Sequence, residues 1–196
     1  LDYVWVKAAQ FSFHRLKWAD PKLGIEMAST WEVACLGEDI YSAYLSATLS
    51  VGTKLPKKNI LLSIGDEDAK IELLESIHIL KNMWFTLFAT KWTHHFLEKH
   101  GIKSKKVSKL SEDKKDNVVT MMQNKELDFV INIPDREEVR LEESDGYFMR
   151  RKAMDVGITC LTDRKIVKLF VESIEKLDMG KKIHILSYDE FIKTKC

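Results

Sequence analysis

The sequence is poor in cysteine, with Cys35, Cys160 and Cys196 an odd number and no C-x-x-C pair. A closed disulfide framework and a cysteine-based zinc site are both excluded. Charge of one sign is not in excess: 31 Lys and Arg face 30 Asp and Glu, for a net +1 at neutral pH. No global attraction to nucleic acid or to an anionic membrane follows, and neither is expected as a partner. The longest apolar runs fall far short of the roughly 20 residues that cross a bilayer. The opening LDYVWVKAAQ has no signal-peptide core or cleavage site. It also lacks an initiator Met, so the chain reads as a piece of a longer or processed one. No internal repeat or low-complexity tract is present. Also missing are a P-loop, a G-x-G-x-x-G after a strand, a G-x-S-x-G and an H-E-x-x-H. Where Gly65 follows a strand, Asp66, Glu67 and Asp68 come next, and these would repel a nucleotide phosphate.

What is present is enough apolar material, 45% of 196 residues, for one α/β domain with a small appendage. In the first fifty residues, alternation over 3–7 predicts a strand, and Phe11 and Phe13 a second extended piece. Residues 23–36 read as a hairpin and 38–51 as a helix. Gly52, Pro56, Lys57 and Lys58 mark a boundary. From residue 59 the pattern alternates regularly. Strands are predicted at 59–64, 85–89, around Val107, 128–132 and 158–161. Helices are predicted at 69–82, 93–100, 116–124, 146–156 and 162–177, the last capped by Thr162 or Asp163. The tail carries a short strand, IHILS, and a final amphipathic turn. Such alternation predicts a doubly wound parallel sheet. Its ligands belong outside the carboxyl ends of the strands, near 65–68, 90–93, 109–113 and 132–136.

Thr90 and Thr93 sit where a strand feeds a helix, so their hydroxyls and the free N–H groups there form an anion site, or one of them is only an N-cap. Lys91 adds charge. Asn132 ends the DFVIN strand and offers an amide to the same crevice, or ties down the next loop. Lys109 and Arg136 are cationic neighbours that also suit a solvated surface. His94, His95 and His100 do not have metal-ligand spacing and read as an exposed face. Glu137, Glu138, Glu142 and Glu143 alternate with Arg136 and Arg140, as in a solvated loop. Cys160 packs as a small hydrophobe. Trp31, at a turn, and Trp92, in the anion loop, are either core residues or the walls of an aromatic pocket.

Five segments carry a resemblance: the run from Lys7 to Gly65 (KAAQFSFHRLKWADPKLGIEMASTWEVACLGEDIYSAYLSATLSVGTKLPKKNILLSIG), LFATKWT, ELDFVINIP, DGYFMRRKAMDVGI and VKLFVESI. Together they resemble the C-terminal part of the carbamoyl-phosphate synthase large subunit, in its ammonia-dependent, urea-cycle-like form. The resemblance implies an α/β fold, a methylglyoxal-synthase-like doubly wound parallel sheet preceded by a small α+β remnant of an ATP-grasp domain. Residues 1–52 would be the remnant, 57–180 the regulatory domain and 181–196 a tail. It implies no catalysis and no cofactor in this chain, since the parent's ATP and magnesium ligands lie upstream. The glycine–aspartate segment of methylglyoxal synthases is replaced by SEDKKDN.

The implied function is to bind a small acidic effector such as N-acetylglutamate, or a nucleotide such as uridine monophosphate, while packed on the rest of the synthase. Matched by position, the effector groups are Thr90, Thr93 and Asn132. Lys109 stands where the acetylglutamate-responsive form has tryptophan, and a lysine there is typical of nucleotide-responsive forms. Asp135 and Gly146 replace two asparagines. Trp31 replaces a turn glycine, and Trp92 a small residue, bringing an indole large enough to reshape the pocket. The implied compartment is the mitochondrial matrix. The alternative is a standalone recruited descendant, cytoplasmic or secreted, that binds an apolar or aromatic pigment or lipid-like ligand and forms a homo-oligomer.

Overall fold

The computed structural model describes residues 3–13, 15–16, 18–22, 29–112, 117–135, 144–184 and 186–193. Five strands make one parallel sheet: β3 (Asn59–Ile64), β4 (Thr86–Thr90), β5 (Lys105–Val107), β6 (Phe129–Ile133) and β7 (Thr159–Leu161), in the spatial order β5-β4-β3-β6-β7. The chain runs outward from β3 to β5, then returns to β6 on the other side of β3. That reversal leaves a crevice between the carboxyl ends of β3 and β6.

The strands are apolar throughout because both faces are covered. Ile60 and Leu62 of β3, Leu87 and Ala89 of β4, and Phe129 and Ile131 of β6 face one layer. That layer contains α3 (Leu74–Asn82), α4 (Lys91–Lys99) and α7 (Arg164–Lys176). Leu61 and Val130 face the other, formed by α5 (Val118–Gln123) and α6 (Asp145–Asp155). At the amino ends of the strands, the Asp128 carboxylate accepts from the N–H groups of Lys57, Lys58 and Asn59, each at 2.9 Å. This clamps the entry to β3 against the entry to β6.

The helix expected over 69–82 starts earlier and is divided. Asp66 caps α2 (Glu67–Glu72), and fully buried Leu73 separates it from α3 while hydrogen bonds run through the join. Asp163, not Thr162, caps α7, accepting from the N–H of Ile166. The start of the chain differs most from expectation. β1 (Val4–Gln10) pairs antiparallel with β2 (Trp31–Gly37), from Val4 opposite Gly37 to Gln10 opposite Trp31. Trp31 is therefore the first residue of a strand, not a turn residue. The first half of the expected 23–36 hairpin lies outside the described residues. Phe11 and Phe13 belong to no strand; their rings stack 5.5 Å apart where the chain turns at Ser12. In the tail no strand forms among the described residues of IHILS, and α8 (Tyr188–Lys193) follows.

Helix α1 (Ile40–Ser50) joins the two sheets. It packs on β1, β2 and α7, and its Tyr44 and Leu45 belong to the same apolar cluster as the parallel sheet. Burial holds the Tyr44 phenol well above its ordinary pKa. Burial tends to raise the pKa of the Asp39 cap at the head of α1, but hydrogen bonds from the Ser42 N–H and hydroxyl outweigh it and hold the carboxyl below its usual value. No helix among the described residues is long and apolar enough to cross a membrane.

Candidate ligand-binding cleft

A cleft of about 670 Å³ opens at the reversal point. Its floor is a row of polar side chains from three adjacent strands: Thr90 of β4, Ser63 of β3 and Asn132 of β6. All three are at least nine-tenths buried. Alternation explains the row, since Phe88, Leu61 and Val130 pack two residues earlier on the same face. The Thr90 hydroxyl lies 3.4 Å from that of Ser63.

The orientation of the Asn132 amide is fixed. Arg150 of α6, also buried, donates from Nη1 to Asn132 Oδ1 at 2.8 Å. Arginine has no acceptor, so the oxygen must face it and the amide NH2 must face away. Among the described residues nothing accepts from that NH2, and it meets the cleft. Arg150 itself is held by Asp20, through Nε and Nη2 at 2.7 Å each. Its neighbours on α6 grip the same N-terminal segment. The Tyr147 hydroxyl donates to the Trp18 carbonyl at 2.8 Å, and Arg151 Nη1 donates to the carbonyls of Phe13, Leu16 and Ala19.

One wall comes from α2, where Lys70 is only 5% exposed. Its nearest carboxylate is Glu67, at 3.6 Å and mostly in solvent. A buried ammonium with so loose a partner leaves positive potential in the cleft. The opposite wall is α4. Thr90 is its N-cap residue by position, yet its side chain makes no capping bond, which leaves the end dipole and first N–H groups without that partner. His95 and Lys99 of α4 and Lys109 after β5 add cationic or titratable groups at the mouth. Glu67, Asp135 and Asp145 supply the acidic part of the lining. Asp145 is occupied, accepting from the N–H and hydroxyl of Ser111. Gly65 lets the loop after β6 pass close by: a Cβ on it would lie 2.8 Å from the backbone nitrogen of Asp135.

Of the residues singled out in the sequence, Thr90, Lys109, Asn132, Asp135, Gly146 and Trp92 line the cleft. Thr93 does not. Its hydroxyl is spent on β3, accepting from the Ile64 N–H at 3.0 Å and donating to the Ile64 carbonyl at 3.2 Å. Lys91 is outside the lining too, its ammonium 5.3 Å from the centre of the Trp92 ring. Trp92 is 65% exposed and stands at the mouth without plugging the cleft. Trp31 is on the other sheet, so no aromatic pocket joins the two. His94 bonds to Ser104 and His100 to the Phe96 carbonyl, and His95 alone of the three reaches the cleft. No group of three His, Cys, Asp or Glu side chains suited to a metal occurs among the described residues. Arg136, Arg140, the nearby glutamates and the DKKD part of SEDKKDN lie outside them.

Lys70, Ser63 and Arg150 are the lining and supporting residues that sequence reasoning missed. Lys70 shares a helical stripe with Leu73, Leu74 and Ile77, and Arg150 one with Gly146, Met149 and Ala153. A cation on an apolar stripe is the signal that could have found both.

Residues 72–162 match the model of the MGS-like domain family. They contain β4, β5, β6, β7, α4, α6 and the floor residues Thr90 and Asn132. This part of the chain is an MGS-like domain.

The similarity to curated proteins extends beyond the MGS-like domain to most of the chain. The chain is 46% identical over 183 residues to the multifunctional protein URA2 of Saccharomyces cerevisiae, covering 89% of this chain and 8% of that protein. It is 43% identical over 184 residues to the multifunctional protein CAD of Squalus acanthias, covering 87% of this chain and 8% of that one. It is 38% identical over 179 residues to the mitochondrial carbamoyl-phosphate synthase [ammonia] of Rattus norvegicus, covering 89% and 12%. The MGS-like domain here is thus of the kind linked to carbamoyl-phosphate synthases, and the chain spans about a tenth of the length of these relatives. A methylglyoxal synthase from Elizabethkingia anophelis overlays with a TM-score of 0.49 at 21% identity, covering 71% of this chain and 96% of that one.

Proposed function

We propose that this chain is the non-catalytic, effector-binding region of a carbamoyl-phosphate synthase-related protein, and that its cleft takes a small phosphate-bearing anion. The observation that carries the reading is the Asn132 amide, buried, oriented by Arg150 and with no acceptor among the described residues at the cleft floor. Lys70, the Thr90 hydroxyl and the uncapped start of α4 complete a compact set of donors suited to a phosphate dianion. Asp135 beside the floor weighs against N-acetylglutamate, whose second carboxylate it would repel, and favours a nucleoside monophosphate. An apolar or pigment ligand has less support, because the cleft is lined by lysines and its indole lies at the rim.

Binding would reach the rest of the protein through Arg150. A ligand that pulls on Asn132 pulls on the group that holds Asp20, and with it the segment gripped by Tyr147 and Arg151. That supplies the two linked sites that allosteric coupling needs. In this reading residues 1–52 are the end of an ATP-grasp unit. Their sheet has two strands among the described residues, and such sheets are marginal alone, so strands of a parent chain would cover it. ATP and magnesium would be bound by that parent, and the compartment would be the parent's, the mitochondrial matrix for an ammonia-type synthase.

Titration calorimetry tests the reading. Uridine monophosphate and inorganic phosphate should release heat on binding, N-acetylglutamate should bind more weakly, and Lys70→Met should weaken uridine monophosphate tenfold or more. Silence from all three would refute it.

A further inference from the structure

A second groove, of about 480 Å³, opens at the opposite end of the sheet, between the end of α3 and the starts of β4 and β5. Lys81, Lys103, Lys105 and Trp84 line it, and among the described residues no carboxylate does. Among the described residues none of the three lysines has an ion-pair partner.

Trp84 is in a costly place. It closes α3 with φ +67°, its N–H bonded to the Lys81 carbonyl while the Phe85 N–H bonds to the Leu80 carbonyl. That left-handed position is normally given to glycine, because a side chain strains it. The same chain uses glycine after α1, α4 and α6, at Gly52, Gly101 and Gly157, and the polar Lys125 and Asp178 after α5 and α7; Trp84 is the one aromatic among these helix-closing positions. The Trp84 ring is 92% exposed, so no packing within the chain offsets the strain. Beside it runs β5, an outer strand whose Lys105–Val107 pairs with β4 alone.

We propose that this groove docks an extended acidic segment of a partner protein. An apolar or aromatic side chain of the partner lies on the Trp84 indole. Its carboxylates face Lys81, Lys103 and Lys105, and its backbone follows the free edge of β5. A compact phosphate fits the groove poorly. The lysines are exposed and come from separate elements, the Lys105 ammonium lying 5.3 Å from the centre of the Phe88 ring, and α3 points its carbonyl end, the negative end of the dipole, into the site. Carboxylates spaced along a strand match that distribution.

The test is fluorescence anisotropy of a fluorescein-labelled Glu-Tyr repeat peptide titrated with the whole chain. Saturable binding is expected, weakened about tenfold or more by Trp84→Gly, as an aromatic anchor requires, and by the pair Lys103→Glu and Lys105→Glu. Trp84→Gly keeps the test independent of folding, since glycine relieves the strain and should raise Tm by about 2–4 °C. Lys70→Met, in the other cleft, should leave peptide binding unchanged. Absence of binding, binding that survives Trp84→Gly, or tighter binding of a single-stranded oligonucleotide than of the peptide would overturn the proposal.

Discussion

The two ends of strands β3 and β6 answer the same chemical question in opposite ways. At the amino ends, three backbone N–H groups converge on one carboxylate, Asp128, and are satisfied. At the carboxyl ends, the Asn132 amide, the Lys70 ammonium and the start of α4 meet no comparable acceptor among the described residues. One end is built for stability. The other leaves donors unmatched among the described residues, which is what an incoming anion would need. A parallel sheet flanked by helices favours this division, because helix N-termini gather at the carboxyl ends of the strands.

Substitutions at the two ends should therefore separate stability from binding. The largest stability loss is expected for Asp128→Ala, about 2–3 kcal/mol by urea unfolding, since it frees three charge-assisted bonds at once. Affinity for uridine monophosphate should be unchanged in the folded protein. Lys70→Met should do the reverse, weakening the ligand by tenfold or more, about 1.4 kcal/mol, while stability stays level or rises because a loosely paired buried charge is removed. Smaller still, Asp39→Ala should cost about 1 kcal/mol by removing the α1 cap. Its pH dependence has a definite sign. The folded carboxyl is held below its ordinary value, so the cap's ionic contribution is complete above the unfolded pKa and is lost as pH falls through the folded one. Asp39→Asn should keep a cap and flatten that acid-side loss. Neither change should touch the cleft. Last, Cys160, partly buried on β7, should be alkylated more slowly at pH 8 in the folded protein than after unfolding. Burial, opposed in part by nearby Arg150, pushes its thiol up to about 12.

How much of this was legible in the sequence follows the same division. NILLSI and DFVIN could be read as buried strands because their signal is local, and their ends fall within a residue of the structure. The crevice followed from topology, and Asn132 and Thr90 from their places at strand ends. Thr93 was misjudged because what occupies its hydroxyl is the backbone of Ile64, 29 residues away in sequence, and no local pattern encodes that. The pairing of β1 with β2 was hidden for the same reason, its partners being separated by a long excursion. Lys70 and Arg150 were hidden by habit, since a charge is read as surface unless its helical stripe is checked.

The central claim is that the Asn132 side-chain NH2 is the exposed donor at the floor of an anion site. Following that amide by ¹H–¹⁵N NMR during a uridine monophosphate titration tests it most directly. The account predicts a saturable shift of both amide protons, with a midpoint at tenfold or more higher nucleotide in Lys70→Met. An amide that stays fixed while the nucleotide binds, or an unchanged spectrum at saturating nucleotide, would contradict it.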